Sequence, residues 1–202
     1  QYPDSLKSFF TSDLFSVTEV PRNFMPFMGT FHGICVKILR IEAENLHLDR
    51  NFLIYDTSDQ EALIKRAIKN LRFEDKNLRP KTIQSTISSS KNAGVLPEEY
   101  EASASYPQQK NIAKVFFEYE KLKAAASALD FDDLLLKTVE LFETNPVVHQ
   151  KWQTRFRHIL IDEYQDTNHV QYRLIKLLTG REQNICVVGD DWQSIYSWRG
   201  AD

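Results

Sequence analysis

Two adjacent carboxylates follow a short apolar segment near the carboxyl end of the sequence. Asp162 and Glu163 come directly after Ile159–Ile161, which has the length and composition of a buried strand. In open α/β sheets, ligands bind at the carboxyl ends of the strands, so both carboxylates would reach such an edge. One could hold Mg²⁺, and the other could orient and deprotonate a water that attacks a nucleoside triphosphate. A strand that ends in a solvated acidic turn would show the same residues.

A second apolar segment, Ile185–Val188, is followed by an amide and two aromatic side chains. Gln193 lies just beyond this predicted strand, where its amide could hydrogen-bond a γ-phosphate. Tyr196 and Trp198 offer flat faces on which bases of a single nucleic-acid strand could stack, at about 1–3 kcal/mol per base. Both aromatic residues would also fit in a hydrophobic core.

These side chains need a scaffold in which both apolar segments are strands. Between the two segments, Val170, Leu174 and Leu178 recur at helical spacing. Short apolar strands separated by a helix are typical of a parallel sheet that is covered on both faces. We therefore predict an α/β fold in which Ile159–Ile161 and Ile185–Val188 are buried strands that are neighbours or near-neighbours.

Residues 56–127 show helical periodicity and no strand pattern. The series Ser58-x-x-Glu61 has the form of a capping box, and Leu63, Ile64 and Ala67 follow it at helical spacing. We predict an all-helical subdomain here, which divides the chain into 1–55, 56–127 and 128–202.

Positive charge is concentrated in this helical segment. The chain as a whole has a formal net charge of −3, which excludes a globally basic coat for nucleic acid. A local basic patch could bind phosphates, or it could be a solvated helix face. The basic residues of the segment are Lys65, Arg66, Lys69, Arg72, Lys76, Arg79, Lys81 and Lys91.

Composition and cysteine usage exclude several other classes of protein. The 202 residues are 42% hydrophobic and 26% charged, which are globular values and not those of a disordered or fibrous chain. No apolar run approaches the roughly 18–20 residues of a membrane span. Cys35 and Cys186 lie in apolar segments, which favours reduced core cysteines in a cytoplasmic protein over a disulfide.

Four segments form an ordered set of motifs. Residues 29–33 read GTFHG, residues 129–135 read LDFDDLL, residues 162–168 read DEYQDTN and residues 187–201 read VVGDDWQSIYSWRGA. In that order they resemble the G-T-F-H-S segment, the D-F-D-D-L segment, motif II and motif III of UvrD/Rep/PcrA-type superfamily 1 DNA helicases. The resemblance covers residues 28–202, and four motifs in family order are far more specific than any one of them.

The resemblance implies a fold and a nucleotide site. The fold would be a helix-rich α/β fold, with part of a RecA-like P-loop NTPase parallel sheet and an inserted all-helical subdomain. The cofactors would be ATP and Mg²⁺, with Asp162 binding the metal and Glu163 as the catalytic base. Gln165 and Gln193 would contact the nucleotide or its attacking water, with Gln193 nearest the γ-phosphate.

The resemblance also implies a DNA-binding surface. Its aromatic residues would stack on or wedge against bases of single-stranded DNA, its threonine and histidine would meet the DNA backbone, and its arginine would anchor the DNA-binding loop. The basic face of the helical insertion would contact duplex DNA. The implied DNA-contacting residues are Thr30, His32, Phe131, Tyr196, Trp198 and Arg199.

No G-x-x-x-x-G-K-[S/T] phosphate loop occurs in the sequence. We therefore expect an internal fragment of a helicase, whose full-length parent hydrolyses ATP, moves along single-stranded DNA and unwinds duplex DNA. The fragment alone is expected to show no ATPase activity. The parent is expected in the bacterial cytoplasm, associated with the nucleoid and with repair or replication proteins.

A second hypothesis belongs to another functional class. The chain could be part of a DNA-binding scaffold subunit with a degenerate motor, in a repair helicase–nuclease complex. The intact Asp162, Glu163 and Gln193 favour the motor, because a scaffold has no need of them. A phosphate loop upstream in the gene would support the motor, and its loss would support the scaffold.

Overall fold

The computed structural model describes residues 27–73, 78–180 and 184–190. The chain divides into two units, Gln1–Thr30 and Phe31–Asp202. Residues 27–30, the described part of the first unit, contain no helix or strand. All the elements below belong to the second unit, and among them no helix is long and apolar enough to cross a membrane.

The described part of the second unit contains α-helices and short strands. Its helices are α1 (Phe31–Ile41), α2 (Thr57–Asn70), α3 (Pro80–Asn92), α4 (Pro97–Ser103), α5 (Pro107–Ala125), α6 (Phe131–Thr144), α7 (Pro146–Arg155) and α8 (His169–Leu178). Its strands are β1 (Leu53–Tyr55), β2 (Ala128–Asp130), β3 (Ile159–Ile161) and β4 (Ile185–Val187). The fold is thus helix-rich α/β, as predicted.

The strands form two parallel pairs. In one pair Leu53 of β1 lies opposite Ala128 of β2. In the other, Ile159 of β3 lies opposite Ile185 of β4, so the prediction that these two segments are parallel neighbours is confirmed. Helix α8 connects β3 to β4 and packs with α1 against α6.

The prediction that β3 and β4 are buried strands is wrong for several of their residues. Successive side chains of a strand point to opposite faces, and Ile161 is buried at 8% exposure while Leu160 is 79% exposed. Cys186, opposite Leu160, is exposed as well, so it is not the core cysteine that we expected. Val187, opposite Ile161, is also exposed, so the described residues leave the face around Leu160 open and cover the other face only in part.

Helices α2–α5 pack around a hydrophobic core of their own. We call these four helices the helical lobe. The start of α2 differs from the prediction, because Asp56 is its N-cap and accepts hydrogen bonds from Ser58 N at 2.7 Å and Asp59 N at 2.9 Å. Ser58 therefore lies inside the first turn. Asp56 takes the capping role because it directly precedes the first helical residue, where its carboxylate can accept from the free backbone N–H groups of the turn. The buried core residues are Leu63, Ile64, Ala67, Leu78, Ile83, Ile87, Ile112, Val115, Phe116 and Tyr119.

A cluster of buried charges joins the helical lobe to the start of α6. Lys91 Nζ lies 2.7 Å from Asp130 Oδ2 and 2.7 Å from Asp133 Oδ1. Lys123 Nζ lies 3.0 Å from the same Asp130 oxygen, and both lysines also contact Glu120. We call these five residues the ionic cluster. Lys91 is therefore not part of an exposed basic face, since its side chain is 2% exposed.

Electrostatics within the ionic cluster favours the charged forms of Lys91 and Asp130. Burial opposes the charge of Lys91, but attraction to Asp133, Asp130 and Glu120 outweighs burial and raises the pKa of Lys91 well above its usual range. Burial likewise opposes the charge of Asp130, but Lys91 and Lys123 hold the pKa of that carboxyl below its usual range. Removing one partner of such a network leaves an uncompensated buried charge.

Lys91→Met should therefore destabilise the fold by roughly 3–5 kcal/mol, because Asp130 and Asp133 then share the remaining lysine. The free energy of unfolding, measured in urea, checks this. Lys65→Met is the matched control, since that lysine is 61% exposed and pairs with Glu61 on its own helix. The control should change stability little. Wild-type stability in Lys91→Met would show that the cluster does not hold the lobe in place.

Candidate functional site

The β3–β4 pair brings two loops to the same edge of the sheet. Val188 N donates to Ile161 O at 2.8 Å, and Tyr164 N donates to Val188 O at 2.9 Å, so pairing continues past the last strand residues. Asp162 and Glu163 follow β3 at this edge, and Gly189 and Asp190 follow β4. The segments that follow β3 and β4, which carry the two predicted parts of the nucleotide site, therefore leave the sheet next to each other.

The backbone turns sharply between the two carboxylates. Glu163 has a φ of 53°, in the left-handed region that is uncommon for a residue other than glycine. Its backbone N–H donates to Asp162 Oδ1 at 3.0 Å, which holds the Asp162 carboxylate against the backbone of the turn. A 3₁₀ turn, Tyr164–Asp166, follows directly and leads to α8.

Gln165 connects the two loops at this edge. Its Nε2 donates to Glu163 Oε2 at 2.6 Å, and its Oε1 accepts from Asp190 N at 3.0 Å. The family resemblance implies a contact of Gln165 with nucleotide or its attacking water, which stays a prediction. The structure places its amide between the Glu163 carboxylate and the end of β4, a role that residue type alone did not reveal.

Gly189 leaves the space that Gln165 occupies. A Cβ atom at position 189 would lie 2.8 Å from Gln165 Oε1 and 3.4 Å from Gln165 N. A larger residue would require the Gln165 amide to shift. The glycine before Asp190 therefore leaves room for the Gln165 amide in its present position.

Two groups of carboxylates could in principle hold a cation. Glu120, Asp130 and Asp133 lie close together, but each already forms ion pairs with Lys91 and Lys123. Asp162 and Glu163 are exposed and make no ion pair with another described residue. Carboxylate oxygens are the ligands that Mg²⁺ prefers, so this second pair fits a magnesium ion that keeps several of its waters.

His32 and Phe131 come together although they lie on different helices. Their ring centroids are 5.7 Å apart with an edge-to-face angle of 74°. Burial lowers the pKa of His32, so its imidazole is neutral near pH 7. Phe131 remains 47% exposed, which leaves part of its ring open to a ligand. We call this pair the aromatic pair.

The aromatic pair opens onto a polar cleft of about 1010 Å³. The cleft is lined by residues of α1 and α6, of α2 and α3 in the helical lobe, and of the start of α8 with the segment before it. Polar side chains dominate the lining, so the cleft suits a hydrated or charged ligand better than an apolar one. Its lining includes His32, Thr57, Gln60, Lys81, Gln84 and Phe131.

The remaining predicted site residues stand as follows. Thr30 directly precedes α1 in the chain. Gln193, Tyr196, Trp198 and Arg199 lie outside the described residues. Within the described part of the basic segment, six residues are exposed as predicted, namely Lys65, Arg66, Lys69, Arg72, Arg79 and Lys81.

Fold and site together define a helix-rich α/β protein with two carboxylates at the carboxyl edge of a parallel strand pair. Residues 20–202 match the family described as UvrD/REP helicase N-terminal domain, and the chain belongs to this family. The chain is 45% identical over 175 residues to the ATP-dependent DNA helicase PcrA of Bacillus subtilis. It is 43% identical over the same length to the PcrA proteins of Staphylococcus aureus and Staphylococcus epidermidis.

The match covers most of this chain but a small part of each relative. In each case it covers 87% of this chain and 24% of the relative. The chain therefore spans about a quarter of the length of the curated relatives that it matches.

Gly189→Ala should displace the Gln165 amide from Asp190 N, since the added methyl group would lie only 2.8 Å from Gln165 Oε1. The Glu163 carboxylate should lose its 2.6 Å partner in the same variant. Crystal structures of the variant and the wild type check both distances. Gly180→Ala is the control, because nothing lies within 4 Å of a Cβ at that position. A Gly189→Ala structure with both Gln165 bonds intact would contradict the assignment.

Proposed function

We propose that this chain is part of the motor of an ATP-dependent DNA helicase, which moves along single-stranded DNA and unwinds duplex DNA. The observation that carries the proposal is the edge of the β3–β4 pair, where Asp162, Glu163 and Gln165 meet the end of β4. Family membership and the names of the PcrA relatives support it.

In this proposal Asp162 holds Mg²⁺, which neutralises the negative charge of the phosphates. Glu163 accepts the proton of the attacking water, and Gln165 holds the Glu163 carboxylate in position through its 2.6 Å hydrogen bond. Gln193 contacts the γ-phosphate. A phosphate-binding loop from another part of the longer protein completes the ATP site.

We further assign the two parallel strand pairs to a RecA-like sheet. The open face around Leu160 is then where other segments of the longer protein pack, since an apolar side chain that is 79% exposed favours burial. The helical lobe is the insertion over 56–127, and the segments 1–55 and 128–202 belong to the motor domain around it.

DNA would occupy the polar cleft and the surfaces beside it. The exposed part of Phe131 stacks on a base of the single strand, with His32 and Thr30 near the backbone. Tyr196 and Trp198 stack on further bases, and Arg199 anchors their loop. The exposed basic residues of α2 and α3 contact duplex DNA, because phosphates attract lysine and arginine without regard to sequence. The protein would act with repair or replication proteins at the nucleoid.

Glu163→Gln in the full-length protein should retain ATP binding, while ATP hydrolysis falls by about two orders of magnitude or more, because the amide accepts no proton from water. Hydrolysis rates and nucleotide affinity check this. Glu44→Gln is the control, since that carboxylate is 80% exposed and pairs with Arg50. Wild-type hydrolysis in Glu163→Gln would remove Glu163 from the role of catalytic base.

Phe131→Ala should weaken single-strand binding by about 1–3 kcal/mol through the loss of one stacking face. Affinity for a labelled oligonucleotide and the melting temperature should be measured together. Tyr106→Ala is the matched control, because Tyr106 is an aromatic residue that is 69% exposed and does not line the cleft. Unchanged affinity in a stably folded Phe131→Ala protein would exclude stacking at this position.

A further inference from the structure

Three helices meet at a chain of side-chain hydrogen bonds in the wall of the polar cleft, and this chain leads toward the candidate nucleotide site. Asn92, the last residue of α3, donates through Nδ2 to Asp132 Oδ1 at 3.0 Å. Its Oδ1 accepts from Asn168 Nδ2 at 2.6 Å. Asp132 directly follows Phe131, and Asn168 ends the loop that begins at Glu163. We call Asp132, Asn92 and Asn168 the amide bridge.

The partners at the two ends of the amide bridge determine which group donates in each of its hydrogen bonds. Asn168 is the N-cap of α8, and its Oδ1 accepts from Gln171 N at 2.9 Å. Its NH₂ group therefore points away from the helix and must donate, and Asn92 offers the oxygen. The NH₂ group of Asn92 in turn faces a carboxylate, which can accept at neutral pH. Reversing either amide would place donor against donor or oxygen against oxygen.

Neighbouring contacts hold Asn92 in place at the end of α3. Lys91, the residue before Asn92, is bound to Asp130 and Asp133, the residues on either side of Phe131 and Asp132. Ser88, one turn earlier on α3, also receives a hydrogen bond from Asn92 through its backbone oxygen at 2.8 Å. A shift of the first turn of α6 would therefore carry Asn92 with it.

The far end of the amide bridge leads to the carboxylates. Asn168 is 9% exposed and follows the 3₁₀ turn Tyr164–Asp166, which contains Gln165. Gln165 is bonded to Glu163. A displacement of Asn168 would thus reach Glu163 through one short turn and one hydrogen bond.

We propose that Asn92 is a positioning residue that couples contact of the aromatic pair with DNA to the placement of Glu163. The inference rests on the proposed function. It assigns to the helical lobe a part in stimulating hydrolysis, because Asn92 belongs to the lobe while Asp132 and Asn168 lie outside it. This path is separate from the segment that follows β4.

Asn92→Leu in the full-length protein tests the coupling, because leucine has a similar size and no hydrogen-bonding groups. The ratio of DNA-stimulated to basal ATPase activity should fall by about fivefold or more. Basal activity should stay within about twofold of wild type, since it does not require the connection. Asn92 lines the cleft, so stimulated activity is compared at saturating single-stranded DNA, and affinity for the oligonucleotide is measured alongside. Asn168→Ser should give the same loss, because serine keeps the N-cap of α8 and removes the donor to Asn92.

Asn70→Leu is the matched control. Asn70 is also the last residue of a lobe helix and donates to a carboxylate, Glu118, at 2.8 Å. It lies on the exposed surface, and its loss should leave the stimulation ratio unchanged. The double variant Asn92→Leu/Asn168→Ser should be no worse than either single variant, since both interrupt one path.

Two results would overturn the inference. One is a wild-type stimulation ratio in folded Asn92→Leu and Asn168→Ser proteins, and the other is an equal fall of basal and stimulated activity, which indicates a structural role. Failure of the proposed function is recognised separately. It would show as an absence of DNA-stimulated ATPase in the wild-type protein, before any variant is compared.

Discussion

The ionic cluster is the constraint on which the arrangement of the described residues depends. Asp130 is at once the last residue of β2, the N-cap of α6 and an acceptor for Lys91, Lys123 and Tyr119. It therefore fixes where the strand ends, where the helix begins and where the lobe is attached. The positions of Phe131 and Asp132 depend on Asp130, because both residues lie in the helical turn that it caps.

The two candidate sites are built by different physical means. The nucleotide edge relies on backbone geometry: parallel pairing, a left-handed Glu163 and a glycine that admits Gln165. The left-handed residue costs about 1–3 kcal/mol, which the surrounding hydrogen bonds must offset. The aromatic pair relies on side-chain packing between α1 and α6, and the ionic cluster fixes the start of α6.

The sequence allowed prediction of features that rest on local patterns. The β3–β4 pair was predictable because two apolar runs each end in polar residues, and the helical lobe because its periodicity is continuous. The β1–β2 pair gave no comparable signal, since each strand has three residues and the partners are distant in the chain. The Gln165 and Asn92 contacts depend on side-chain geometry across elements, which no spacing in the chain encodes.

Lys91 shows how a charge pattern can mislead. Counted with its neighbours, it belongs to a basic segment, yet Ile83, Ile87 and Lys91 recur every four residues on the buried face of α3. That spacing was the available sign that this lysine points inward. A buried lysine also requires carboxylates nearby, and the D-F-D-D-L segment supplies them.

The parallel pairing of Leu53 with Ala128 has a consequence for the order of folding. Parallel neighbours need a crossover connection, and here the whole helical lobe is that connection. Closing so long a loop for three residue pairs is entropically unfavourable while the lobe is unfolded. The lobe has a core of local contacts and can form first, which shortens the effective loop. Strand pairing, and with it the turn that carries Phe131, should therefore be a late event in folding.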